Sequence, residues 1–174
     1  MGPHEVDHNV VVAFDETGAN PWVIIKSECY AKGRGFRYHH NLFWVESAEL
    51  YWNEKEWPQA WLSTFEFRKN VFVFTKRMKR PTGPHGSASL FIASDNVLVA
   101  PDADPEIRDA LLRGGGTVYA DPGGLGFVDP ARLDFGLKPG SPLADAGPFG
   151  PGEAPGPDWP RPRRTVFDDH SPRP

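Results

Sequence analysis

Phe67-Arg-Lys-Asn70-Val-Phe-Val-Phe74 decides how this chain reads: one apolar residue, two polar ones, an Asn, then an apolar run. The phrase recurs as Val6-Asp-His-Asn9-Val-Val-Val-Ala13, Tyr38-His-His-Asn41-Leu-Phe-Trp-Val45 and Ala93-Ser-Asp-Asn96-Val-Leu-Val-Ala100. The Asn residues stand 32, 29 and 26 positions apart. Repeats of this length are stacked supersecondary units that share a continuous core. The expectation is a coil of parallel strands with an Asn at the same corner of each turn.

Aligning the Asn residues assigns a facing to their neighbours. Five positions before the Asn come His4, Phe36, Phe65 and Phe91, and three before come Val6, Tyr38, Phe67 and Ala93. They share a parity, so they point to one side of a strand and predict an interior, largely aromatic column. The other parity gives Glu5, Arg37, Glu66 and Ile92, then Asp7, His39, Arg68 and Ser94, which are mostly polar and are expected to face out. After the Asn both parities are apolar, Val10/Leu42/Val71/Val97 on one and Val11/Phe43/Phe72/Leu98 on the other. A strand apolar on both sides is covered on both sides. The segments 13–35, 46–64, 75–90 and 101–126 are the expected roof. The Asn is expected to take the left-handed backbone of a sharp corner and to donate and accept amide hydrogen bonds along the column.

The totals agree with one repetitive, turn-rich domain. The 174 residues are 39% hydrophobic and 13% aromatic, with 18 Gly and 19 Pro, so many turns and few helices are expected. A net charge of −4 lacks the basic stripe of a dedicated nucleic-acid binder. The lone Cys29 forms no intramolecular disulfide, and stacked strands need none. No apolar run is long enough for a membrane helix, and Met1-Gly-Pro-His-Glu-Val has neither the basic start nor the apolar stretch of a signal peptide.

The C-terminal third changes style. Asp104-Pro-Glu-Ile-Arg-Asp-Ala-Leu-Leu-Arg113 predicts a short helix with Pro in its first turn and Gly114 as its stop. Residues 1–147 hold the coils and a closing segment, and 148–174 read as a proline-rich tail. The run Ala120-Asp-Pro, Gly126-Phe-Val-Asp-Pro130 and Asp134-Phe-Gly-Leu-Lys-Pro-Gly-Ser-Pro-Leu-Ala-Asp-Ala-Gly147 resembles the ending of right-handed parallel β-helix proteins of the pectate-lyase-like superfamily. The resemblance covers residues 4–147. It implies an all-β fold, a right-handed parallel β-helix of about four coils, and the C-terminal part of a longer carbohydrate-active protein. It further implies a polysaccharide or oligosaccharide partner, glycoside hydrolase or polysaccharide lyase chemistry, and an extracellular or periplasmic setting. The alternative is a non-catalytic glycan-binding or structural module. The N-terminal coils of a longer chain, or a second copy, are expected to cover the first rung, since an uncovered strand edge invites pairing.

The outward columns carry the candidate site. Glu5, Arg37 and Glu66 stack as one ladder, with Asp7, His39 and Arg68 beside them. One reading is a charge ladder that keeps the rungs in register. The other is a sugar-binding groove in which Arg37 and Arg68 hold carboxylates while His39 or Glu66 moves protons. Arg37, His39, Glu66 and Arg68 are therefore the candidate catalytic residues. Trp22, Trp44, Trp52, Trp57 and Trp61 offer stacking platforms for sugar rings or, on the plainer reading, roof the second strand. Glu46, Glu49, Glu54 and Glu56 lie near them. A pair at suitable spacing would serve a glycosidase. His4-Glu-Val-Asp-His8 matches the spacing of a zinc-protease helix, but it runs into the strand-like Val10-Val-Val-Ala13. No metal ligand is assigned on it, no cofactor is expected, and no acidic cluster calls for calcium. Arg113-Gly-Gly-Gly-Thr117 lacks the Lys-Ser/Thr of a phosphate loop and reads as a turn. Tyr51 and Lys55 have a dehydrogenase-like spacing without a dinucleotide loop, and read as coincidence.

Overall fold

The computed structural model describes residues 4–14, 22–27, 36–53, 66–79 and 92–147. Parallel strands dominate them. One sheet holds β1 (His4–Asp7), β4 (Phe36–His39), β6 (Glu66–Arg68) and β8 (Ile92–Ser94), hydrogen-bonded in that order. A second holds β2 (Val10–Ala13), β5 (Leu42–Asn53), β7 (Val71–Lys79), β9 (Val97–Val99) and β10 (Thr117–Tyr119), with β3 (Trp22–Ser27) alongside the far half of β5. Each quoted phrase thus runs through one strand of the first sheet, turns a corner at its Asn, and enters one strand of the second.

The register is the one the Asn alignment demands. Val6 faces Tyr38 and Tyr38 faces Phe67 in the first sheet. Leu42 faces Val10 and Val71, and Val71 faces Val97, in the second. A slip of one residue would exchange the two faces of every strand. Tyr38 and Phe67 stack with ring centroids 5.3 Å apart, as the expected aromatic column requires, and Phe67 is buried. Phe65 and Phe91 lie outside the described residues.

At the corner the structure makes a correction. The left-handed residue is the one before the Asn: His8, His40, Lys69 and Asp95 have φ of 53°, 54°, 52° and 53°. The Asn side chain turns inward instead. Asn41, Asn70 and Asn96 are fully buried and are the only buried polar side chains among the described residues. Their amides form the expected ladder. Asn41 Nδ2 donates to Asn70 Oδ1 at 2.9 Å, and Asn70 Nδ2 to Asn96 Oδ1 at 3.0 Å. The same oxygens accept the backbone N–H groups of Asn41 and Asn70 at 3.1 and 2.9 Å. Each Nδ2 also donates to a strand carbonyl, Asn41 to Val6 O, Asn70 to Tyr38 O and Asn96 to Phe67 O. A buried amide with this many partners offsets the roughly 1–2 kcal/mol that a left-handed non-glycine neighbour costs.

Both faces of the second sheet are covered, as expected: the expected segment 101–126 supplies a helix to one face and Leu125 to the other, residues 127–146 extend the cover, and most of the other three expected segments lies outside the described residues. Phe43, Val45, Phe72, Phe74, Leu98 and Ala100 pack on Ile107, Ala110 and Leu111 of helix α1 (Pro105–Arg113). Phe43 and Phe72 stack at 5.2 Å. Leu42, Trp44, Val71, Val73, Val97 and Val99 pack on Leu125, Phe127, Phe135, Leu143 and Ala146 of the C-terminal segment. Trp44 is itself roofed, lying against Phe127 and Phe135. Trp57 and Trp61 lie outside the described residues.

The helix is capped as its sequence predicts. Asp104 Oδ1 accepts from Glu106 N and Ile107 N, Pro105 opens the first turn, and Gly114 closes the last. It stands where a fifth strand of the first sheet would be. Gly115, with φ of 81°, takes the left-handed corner, and Gly116 takes the place of the next Asn: Thr117 N donates to Asn96 O at 2.9 Å. The closing segment follows as a short antiparallel pair, β11 (Phe127–Asp129) and β12 (Asp134–Leu137). Gly147 N pins its end to Lys69 O at 2.7 Å. The tail from residue 148 onward lies outside the described residues.

Candidate functional site

Strands β1, β4 and β6 present two polar columns on the solvent face of the first sheet. Register sets Glu5 beside Arg37 and Arg37 beside Glu66, and likewise Asp7, His39 and Arg68. Arg37 is shared between two carboxylates: Nη1 lies 3.4 Å from Glu5 Oε1 and Nε 3.3 Å from Glu66 Oε2. All three side chains are about half exposed, so these contacts fix side-chain position more than they add stability.

The four candidate residues, Arg37, His39, Glu66 and Arg68, line one groove of about 490 Å³. Glu5, Tyr38, His40 and Lys69 complete it. Among the described residues no carboxylate pairs with Arg68 or Lys69, so two neighbouring cations stand open to the groove beside an Arg that is already neutralised.

Three imidazoles meet at one end. His8 stacks on His40 with centroids 5.1 Å apart and planes 2° apart, and His39 stands edge-on to both. His39 Nδ1 and His40 Nδ1 are 3.1 Å apart, so one donates and the other accepts. His8 Nδ1 lies 3.0 Å from Asp7 Oδ2. That hydrogen bond holds the Asp7 carboxyl below the usual carboxylate range, and the positive potential of the surrounding histidines adds to it. Burial holds the His40 imidazole below its ordinary value, and His8, His39, Lys69 and Arg68 push the same way. Burial pushes the Tyr38 phenol up.

Sequence reasoning weighed His8 only within the zinc-protease spacing and set it aside, and it missed His40 and Lys69. They occupy the left-handed corner, where strand alternation ends and gives no facing. The signal was present as paired polar residues ahead of each Asn: Asp7-His8, His39-His40 and Arg68-Lys69. The zinc-protease spacing fails on geometry, because His4–Asp7 is a strand and offers no shared helical face to His4 and His8. His8 nevertheless meets Asp7 and His39: their potential ligand atoms all lie within 4.8 Å of one another. The expectation of no metal ligand has to be set beside this cluster. Glu46, one of the acids near the tryptophans, is bound to Lys76 at 2.6 Å. Glu54 and Glu56 lie outside the described residues.

Comparison with protein-family models, curated proteins and solved structures finds no match to this chain.

Proposed function

We propose that this chain is the C-terminal part of a carbohydrate-active right-handed parallel β-helix protein, and that the groove on its first sheet holds an acidic oligosaccharide. Winding between two parallel sheets, with an Asn ladder at one corner, supports the β-helix reading. The observation that carries the ligand class is the pair Arg68 and Lys69, which line the groove next to stacked imidazoles and have no carboxylate partner among the described residues. A uronate carboxylate supplies the missing counter-charge through charge-assisted hydrogen bonds.

Among reactions, elimination from a uronate fits better than hydrolysis of a glycosidic bond. Hydrolysis needs two carboxyl groups flanking the bond, one acid and one base or nucleophile. The two in this groove, Glu5 and Glu66, are both committed to Arg37. Elimination needs a cation to hold the sugar carboxylate, as Arg68 does here, and a proton acceptor, for which His39 is the neighbouring imidazole.

Titration calorimetry with a uronate oligomer and a neutral oligomer of equal length tests the ligand class. The uronate binds and the neutral sugar does not. Arg68→Ala and Lys69→Asn, the latter chosen because Asn tolerates the left-handed corner, each weaken uronate binding about tenfold or more, the loss expected for one charged hydrogen bond. Equal binding of both sugars, or variants that bind like the wild type, overturns the reading. Appearance of an unsaturated product separates a lyase from a binding module.

A further inference from the structure

We propose that Asp7, His8 and His39 form a binding site for a zinc-class dication. The donor set is two imidazole nitrogens and one carboxylate oxygen. That mixture suits zinc and its transition-metal neighbours, whereas calcium takes six to eight oxygens. The ligand atoms already lie within 4.8 Å of one another, with Asp7 Oδ2 and His8 Nδ1 at 3.0 Å. Donors around a tetrahedral zinc, each about 2.0–2.1 Å from the metal, are roughly 3.3 Å apart. Small side-chain rotations close the remaining gap, since Asp7 and His8 are exposed and His39 is half-buried.

The backbone beneath the three residues is fixed independently of any metal. Asp7 and His39 are direct neighbours across the β1–β4 pair, and His8 sits on the corner that the Asn9–Asn41 hydrogen bonds hold in place. A fourth residue supports the ligands. His40 stacks on His8 and hydrogen-bonds His39, which orients both imidazoles as outer partners orient metal-binding histidines. Three protein ligands leave one tetrahedral position open, the pattern of zinc sites that take water or a ligand. His39 also lines the groove, so a bound metal sits at the groove's end and occupies the imidazole that elimination would use. The inference does not depend on the glycan reading, because its test contains no sugar.

The test is titration of the untagged full chain with zinc chloride at neutral pH, followed by calorimetry. One equivalent binds saturably, and a large excess of calcium does not displace it. His8→Asn, which suits the left-handed backbone, and His39→Gln each weaken binding roughly tenfold or more, since loss of even an outer partner costs about 10–100-fold. His170→Gln, far along the sequence, leaves it unchanged. As a check that needs no variant, cobalt(II) added to the wild type broadens the NMR signals of His8 and His39 first. Absence of saturable zinc binding, variants that bind like the wild type, or cobalt broadening centred on other histidines overturns the proposal.

Discussion

Asn70→Ala lowers the unfolding free energy by about 3–4 kcal/mol, read as a fall in the urea midpoint at unchanged slope. The side chain is fully buried and makes four hydrogen bonds: it accepts from Asn41 N and Asn41 Nδ2 and donates to Asn96 Oδ1 and Tyr38 O. Alanine removes all four at once. It strands the Asn41 N–H in the interior and leaves Asn41 Nδ2, Tyr38 O and Asn96 Oδ1 under-satisfied. An orphaned buried group costs about 1–3 kcal/mol, and a cavity the size of the lost amide adds to that. Asn9→Ala at the exposed end of the ladder costs less, roughly 1 kcal/mol, because its amide is reached by water and strands less behind it. Equal losses at the two positions would show that the ladder is not the stabilising element.

Gly116→Ala costs about 3 kcal/mol, or prevents folding, by a steric route. A β-carbon at Gly116 would lie 2.4 Å from Asn96 O and 2.9 Å from Leu111 O. Both are backbone atoms, and both are engaged: Asn96 O accepts from Thr117 N, and Leu111 O from Gly116 N. Neither can move without breaking the strand pair β9–β10 or the end of α1, so the site is overpacked with no soft neighbour to yield. Gly140→Ala is the useful contrast. Its φ of 82° carries backbone strain, but a β-carbon there meets nothing within 4 Å, so its cost stays near 1 kcal/mol. Thermal melts of both variants distinguish crowding from backbone conformation. A Gly116→Ala melt no lower than that of Gly140→Ala would refute the packing account.

Much of this architecture was legible because it repeats. Parity around the four Asn residues assigned Tyr38 and Phe67 to the interior and Glu5, Arg37 and Glu66 to one outward column, since a strand offers only two sides. Asp104, Pro105 and Gly114 marked the helix ends through the chemistry of capping. The corner was misread for a physical reason. Asn is the non-glycine residue best known for left-handed backbone, yet here its side chain is worth more as a buried amide, and His, Lys or Asp takes the strained position beside it. The roof was assigned only in part, through the stretch 101–126, because apolar residues say that a face is covered, not by what. Beyond that stretch Phe127, Phe135, Leu143 and Ala146 do this from two very short strands and the turns after them, too short to show a periodicity. The imidazole cluster was invisible for a related reason. His8 and His39 stand far apart in sequence, and strand register alone does not fix where a corner side chain points.

The amide column has a direction. Each Asn side-chain oxygen receives both hydrogen bonds from the Asn one repeat earlier, so every link from Asn9 to Asn96 points the same way. Stacked amides oriented alike add their dipoles, as peptide units do along a helix. The series stops at Gly116, which has no side chain to act as the next acceptor and no space for one. The amide ladder can therefore be continued in one direction only. A repeat laid ahead of Asn9 finds the Asn9 side-chain oxygen to donate to, whereas a repeat laid behind Gly116 finds no side-chain amide there to donate to it.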